Sequence, residues 1–177
     1  MRSLLALSLL LVLAVPARAD PPAPQDRSAV AECVDLVRGN INNARDPGDS
    51  AAEEGAQAQL DRVGREAGIA FESCIGVVAT PCQAAPGGES TAGMTQCFDR
   101  ETAAWDERLN ANYKARLADA TNEYGDALKK MQRAWIAYRD AKCSSIHAEF
   151  EGTMAIPLTA SCMLTETARQ AIFLEPE

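Results

Sequence analysis

Six cysteines constrain the fold of this 177-residue chain more than any other feature. They are Cys33, Cys74, Cys82, Cys97, Cys143 and Cys162. All six follow a segment with the features of an export signal, and an even number of cysteines in an exported protein is typical of three disulfides. No two of them form a C-x-x-C pair, so the sequence does not predict a redox-active dithiol.

The N-terminal segment has the three parts of a secretory signal. Arg2 supplies a positive charge, Leu4 to Val15 form an apolar run, and Ala17-Arg18-Ala19 matches an A-x-A cleavage site. The run is too short to span a membrane as a helix. We therefore predict a signal peptide over residues 1–19, cleavage after Ala19, a periplasmic or secreted location and no membrane insertion afterwards.

The charge of the chain limits its partners. The sequence has 17 basic and 25 acidic side chains, which gives a formal charge of −8. Removal of residues 1–19 takes away Arg2 and Arg18, leaving 15 basic against 25 acidic side chains and a charge of −10. Such a protein repels nucleic acid and anionic lipid, and it attracts basic proteins.

Apolar side chains recur at helical spacing through the rest of the chain, and no segment has the alternating pattern of a strand. We predict an all-α fold, a small bundle of antiparallel helices stapled by three disulfides. A first helix is expected over 28–42, and a second begins at the Ser50 capping box and runs through Cys74. A third should begin at Ser90 or Thr91. Residues between these last two helices, from Thr80 onward, are expected to form a loop.

One helix from residue 91 to Phe150 would be about 90 Å long, too long for a compact domain. We therefore predict a break over Asp119–Asn122, with Thr121 or Asn122 capping the next helix. That helix should end at Glu151-Gly152-Thr153. Pro157 is expected in the loop beyond, before a last helix over 159–174.

Spacing alone leaves fifteen pairings of the cysteines open. We favour a set in which each cysteine pairs with another that is near it in the sequence. In the chain-entropy model, each of these bridges would stabilise the fold by about 3–4 kcal/mol. This set is Cys33–Cys74, Cys82–Cys97 and Cys143–Cys162.

The sequence offers little that supports catalysis or a cofactor. His147 is the only histidine, and with no close cysteine pair the chain has no metal-binding motif. Ser144 and Ser145 precede His147 on one predicted helix, where they do not form a supported triad. We predict no enzymatic activity, no cofactor and no metal site.

Two helices carry matching apolar stripes. The first stripe comprises Trp105, Leu109 and Tyr113, and the second comprises Leu128, Met131, Trp135 and Tyr138. We predict that the two helices pack these stripes against each other in antiparallel fashion. Arg139, Asp140 and Arg169 are expected to form a polar network near the Cys143–Cys162 bridge.

Residues Gln132 to Cys143 read Q-R-A-W-I-A-Y-R-D-A-K-C. With this block, Cys97 to Leu174 resembles the LprI-like lysozyme-inhibitor N-terminal domain, a helical module of exported bacterial proteins. The matching positions are Trp105, Asp106, Leu109, Asn110, Tyr113, Gln132, Trp135, Tyr138, Arg139, Asp140, Cys143, Gly152, Thr153, Cys162 and Arg169. The resemblance implies that these motif residues are mainly structural, and it implies binding and inhibition of lysozyme.

The sequence thus predicts three parts: a signal peptide over 1–19, an N-terminal helical hairpin region over 20–81 and an LprI-like helical domain over 82–177. The expected function is that of a non-enzymatic binding protein that inhibits lysozyme-type muramidases, with a basic lysozyme as partner. The alternative is a structural or adaptor module of the cell envelope that binds another protein or a small ligand.

Overall fold

The computed structural model describes residues 22–45 and 66–176. In these two stretches the chain forms helices and no strands, which confirms the all-α prediction. The helices are α1 (Pro24–Arg45), α2 (Ala79–Gln83), α3 (Thr91–Ala118), α4 (Asn122–Ser144), α5 (Ile146–Glu149) and α6 (Ala155–Phe173), and residues 66–72 are also helical. No helix in the described stretches is long and apolar enough to cross a membrane.

The C-terminal helix α6 is the central element of the bundle. Its contacts with α3 are the most extensive in the described structure, and α4 and α5 also pack against it. Its small side chains at Ala160, Ala168 and Ala171 are buried and allow the neighbouring helices to approach closely. The core formed around it includes Trp105 and Leu109 of α3.

The predicted direct packing of α3 against α4 is wrong. Both helices have α6 as a partner. Among the described residues, the middle of α4 is bonded to another helix only through Gln170 of α6, which donates to Gln132. Trp135 is only half-buried, and Tyr138 is 53% exposed. The reason is that α6 packs against both helices, so residues of the two stripes contribute to one core around α6.

Two helix starts follow the local sequence. Ser90 Oγ accepts a hydrogen bond from the backbone N–H of Gly93 at 3.0 Å, and α3 begins at the next residue. Thr121 Oγ1 accepts from the N–H of Tyr124 at 3.4 Å, after the break that follows α3. Both residues are N-caps, as predicted, because a hydroxyl satisfies an N–H that has no partner within the helix.

Other helix boundaries differ from the prediction. α1 begins at Pro24 instead of residue 28, and Pro157 lies in the first turn of α6 instead of a loop. Both positions suit proline, because first-turn N–H groups have no acceptor within the helix. The expected loop at Thr80–Cys82 is the short helix α2, and α4 ends at Ser144 rather than at Gly152. The predicted helix start at Ser50 lies outside the described residues.

All three predicted disulfides are confirmed, and no cysteine is free. The bridges are Cys33–Cys74, Cys82–Cys97 and Cys143–Cys162, with Cα–Cα distances of 5.8, 5.6 and 5.5 Å. The first bridge ties α1 to the turn that follows residues 66–72. Val30 and Val34 of α1 belong to the same apolar cluster as Trp105. The division of the chain at residue 82 stays a prediction, and the signal peptide lies outside the described residues.

Candidate functional site

The residues of the sequence motif divide between the core and the surface. Trp105 and Leu109 are buried in the core, and Gln132 is buried where it contacts α6. Tyr113 is half-buried against the same core. Asp106 and Asn110 are exposed and are joined by a 2.9 Å hydrogen bond along α3.

A buried carboxylate that the sequence did not single out holds this core together. Glu101 is fully buried. Its carboxylate accepts hydrogen bonds from the backbone N–H groups of Gly76, Val78 and Ala79, at 2.6, 2.9 and 2.7 Å. It also accepts one from the indole N–H of Trp105 at 3.0 Å. Glu101 therefore connects the turn before α2 to the centre of α3.

A second buried carboxylate, Glu175, holds the end of the chain against α1 and α3. It accepts hydrogen bonds from Arg38 of α1 and from Arg108 and Asn112 of α3. Arg116 donates to the backbone carbonyls of Leu174 and Glu175, at 2.9 and 2.6 Å. Cations at the C-terminus of a helix satisfy carbonyls that have no partner within it.

The charged residues Arg139, Asp140 and Arg169 of the motif form two separate ion-pair groups on α4 and α6 rather than one network. Arg139 stacks over Trp135 at 5.0 Å and pairs with Asp140 at 2.8 Å. Arg169 pairs with Glu72 at 3.0 Å and with Glu166 at 3.6 Å.

Lys142 completes the second group. Its ammonium lies 2.7 Å from Glu166 and 5.6 Å from the centre of the Tyr138 ring. The hydrogen bond to Glu166 is the main cause that raises the pKa of Lys142, and the bond to Glu72 likewise raises the pKa of Arg169. The cations on this face are therefore already neutralised by carboxylates.

An open cleft lies where the first turns of α1, α3 and α6 meet. Its volume is about 1200 Å³, and its lining is mostly apolar. The wall from α3 is formed around Gly93, where any Cβ would meet the carbonyl oxygen of Gly87 at 2.1 Å. Glycine at this position therefore lets the loop stapled by Cys82–Cys97 lie directly on α3.

The charged side chains that line the cleft are one neutralised pair, Asp26 with Arg100, and one lone acid, Asp99. Arg100 donates two hydrogen bonds to Asp26, at 2.7 and 3.0 Å. Asp99 makes no ion pair with any described residue, and its partial burial raises the pKa of its carboxyl group. The charged side chains that line the cleft therefore sum to a net negative charge at neutral pH.

The segment between α5 and α6 extends from one edge of the cleft. Phe150, Met154 and Ile156 are 45%, 47% and 48% exposed, and we call these three side chains the apolar patch. Gly152 has a φ of +85°, which turns the chain back toward α6. Thr153 and Ile156 line the cleft, so the apolar patch adjoins the cleft through Ile156.

With this geometry in place, comparison with known proteins gives the family. The family model described as lysozyme inhibitor LprI matches residues 82–174, which is more than half of the chain. The chain belongs to the LprI family. A protein of Rhizobium meliloti (strain 1021) with the name "Uncharacterized protein R02472" is 36% identical over 87 residues. The alignment covers 42% of this chain and 63% of that protein, and no solved structure matches.

The LprI match covers α3 to α6 and therefore two of the three walls of the cleft, while Pro22, Ala23 and Asp26 supply the third wall from outside the match. The three disulfides of this LprI protein are typical of an extracytoplasmic compartment. Among the described residues, no group of His, Cys, Asp and Glu has the geometry of a metal site.

Asp99→Asn is expected to stabilise the LprI fold slightly at neutral pH. A carboxyl whose pKa is raised above its ordinary 3.8 in the folded protein costs stability once it ionises, so stability falls as the pH rises through that window. Because Asp99 is partly open to water, we expect a gain of at most about 0.5 kcal/mol near pH 7. Thermal unfolding of both proteins at neutral pH and near pH 3 checks this. A gain that persists at about pH 3 would contradict the electrostatic cause.

Proposed function

We propose that this protein is an exported, non-enzymatic inhibitor of lysozyme-type muramidases that acts by binding them. Membership of the LprI family is the observation that carries the proposal. Lysozymes are commonly basic, so an acidic surface favours their encounter with this chain. The alternative, an envelope adaptor with another partner, is the outcome that the experiment below must exclude.

The distribution of charges supports a basic partner. Most basic side chains of the described residues are engaged in ion pairs, namely Arg27, Arg38, Arg100, Arg108, Lys129, Arg139, Lys142 and Arg169. Many exposed acids make no ion pair with another described residue, namely Glu32, Glu89, Asp99, Asp106, Asp119, Glu123, Glu149 and Glu151. The negative charge is therefore carried at the surface by carboxylates that are available to a partner.

The arrangement of Ser144, Ser145 and His147 supports a non-enzymatic role. Ser144 Oγ donates to the carbonyl of Ala141, and Ser145 Oγ donates to that of Lys142. His147 is exposed on α5. A nucleophilic serine needs a base within hydrogen-bond reach and a third group that orients the base.

The location that we propose is the periplasm or the exterior of the cell. The supporting observations are the signal-like residues 1–19, with cleavage after Ala19, and the three disulfides, which persist in oxidising compartments. A basic muramidase that reaches the envelope would meet the inhibitor there.

Mature, oxidised protein is expected to inhibit the lysis of cell walls by c-type or g-type lysozymes. Inhibition should be strongest at low salt and should weaken on the order of tenfold between roughly 50 and 300 mM, because salt screens charges beyond about 8 Å at physiological ionic strength. A reduced and alkylated sample is the control for dependence on the fold. A folded protein that inhibits neither class would favour the adaptor, and hydrolysis of the wall by the protein itself would contradict both functions.

A further inference from the structure

Exposed apolar side chains in the described residues mark a surface that is suited to a partner. Phe150, Met154 and Ile156 lie within seven residues of one another and are each close to half exposed. Such grouped exposure is typical of protein interfaces, where an apolar centre is surrounded by polar groups. The first turn of α6 is held against the core by the buried residues Ala155 and Pro157, on either side of Ile156. The exposed side chain of Ile156 is therefore not required for packing of the core.

Exposed carboxylates lie next to this patch and the cleft along the chain. Glu149 and Glu151 flank Phe150, Asp99 lies in the cleft, and Glu89 lies between two residues of its lining. None of the four makes an ion pair with a described residue. Among the described residues that line the cleft, Arg100 is the only cation, and it is neutralised by Asp26. The surface therefore complements an apolar contact bordered by lysine or arginine.

Another face of the bundle has different chemistry. The face formed by α4 and α6 around Tyr138 is also exposed, but Arg139, Lys142 and Arg169 lie there and are paired with acids. That face offers a basic partner no excess of negative charge. The two surfaces are therefore distinguishable by electrostatics alone.

We propose that the apolar patch, together with the acidic cleft, is the surface that binds the basic face of a muramidase. This inference rests on the proposed function and adds where on the protein the muramidase binds. Met154 and Ile156 supply the desolvated centre of the contact, and Asp99 and Glu151 bind cations at its border. The pairing of an apolar centre with border charges predicts that the two kinds of residue affect binding differently.

Two variants test the two parts of this surface against a basic c-type lysozyme. Met154→Ser with Ile156→Ser is expected to weaken inhibition at least about tenfold at every salt concentration, because it removes the apolar centre. Asp99→Asn with Glu151→Gln is expected to weaken inhibition about three- to tenfold at low salt and to flatten its salt dependence.

Matched substitutions on α4 are the controls. Tyr124 is 47% exposed, like Met154, and Glu123 makes no ion pair with a described residue. Tyr124→Ser and Glu123→Gln are expected to change inhibition less than about twofold. Circular dichroism and melting of each variant show whether it is folded. As a second measurement, hydrogen exchange of the wild-type complex should slow in peptides that cover 87–103 and 150–156.

The outcomes separate the location from the function. If the wild-type protein inhibits lysozyme and both patch variants inhibit it equally well, while hydrogen exchange slows in other peptides, the proposed location is wrong and the inhibitor function stands. Wild-type protein that binds no lysozyme would overturn both. Variants that weaken inhibition while the controls do not, with slowed exchange at the patch, support the inference.

Discussion

Replacing Glu101 by alanine is expected to destabilise the protein by about 4 kcal/mol or more. The substitution leaves the N–H groups of Gly76, Val78 and Ala79 and the indole of Trp105 without their acceptor in a buried site. Each buried donor that loses its partner costs about 1–3 kcal/mol, and partial entry of water reduces the sum. Urea unfolding of the oxidised variant, followed by circular dichroism, gives the free energy of unfolding directly.

The exposed acid Glu107 on the same helix is the matched control. It pairs with Arg27 at 3.3 Å, and both side chains are about half exposed, so Glu107→Ala should cost less than about 1 kcal/mol. Glu101→Gln should give an intermediate loss of stability. The amide oxygen can still accept hydrogen bonds, but the NH₂ group is a donor and faces N–H groups that it cannot bind. A cost below about 1 kcal/mol for Glu101→Ala would show that these hydrogen bonds are not important for stability.

Trp105 provides an independent check on the same site. Trp105→Phe removes one of the four donors to Glu101 and keeps most of the buried ring. In the double variant with Glu101→Ala, the loss is expected to be smaller than the sum of the single losses, because the missing indole N–H no longer needs an acceptor. Additive losses would mean that the two residues stabilise the fold separately.

Local features of this fold could be predicted from the sequence because short-range chemistry decides them. Ser90 and Thr121 cap their helices with their own hydroxyl groups, and each acts within three residues. The disulfides pair cysteines within one neighbourhood of the chain, at separations of at most 41 residues. The prediction that Pro157 lies in a loop was wrong. Proline breaks the interior of a helix but fits its first turn, and the sequence alone does not show where that first turn begins.

The partners of the apolar stripes could not be predicted in the same way. Helical periodicity identifies the side of α4 that carries Leu128, Met131 and Trp135, and Leu128 is indeed buried. It does not say which helix covers that side. The answer depends on α6, whose rows of small side chains allow close approach on more than one side.

The proposed binding surface and the buried acids could not be predicted from the sequence for a related reason. Glu101 lies among the charged residues of an α-helix and has the pattern of an ordinary surface acid, since its partners at 76–79 are more than 20 residues away. The cleft joins residues 22–26, 87–103 and 153–156, which only the tertiary fold brings together. The block Gln132–Asp140 supported recognition of the family, yet the acidic surface lies elsewhere.

Removing the Cys33–Cys74 bridge by changing both cysteines to serine is expected to cost about 4 kcal/mol. The bridge closes a segment of 41 residues, and in the chain-entropy model longer loops restrict the unfolded chain more. Cys74 is also fully buried, so its serine adds a polar group to the core. Urea unfolding of the double variant measures the change.

The Cys82–Cys97 bridge is the comparison, because it closes only 15 residues and should be worth about 3 kcal/mol. Without the first bridge, a single shifted transition is expected, since Val30 and Val34 of α1 share one apolar cluster with Trp105. Two transitions would mean that residues 20–81 unfold separately from 82–177, as a strict division at residue 82 requires. Because the proposed binding surface has one wall from α1, the proposed function predicts that separate unfolding would reduce inhibition before the LprI region itself unfolds.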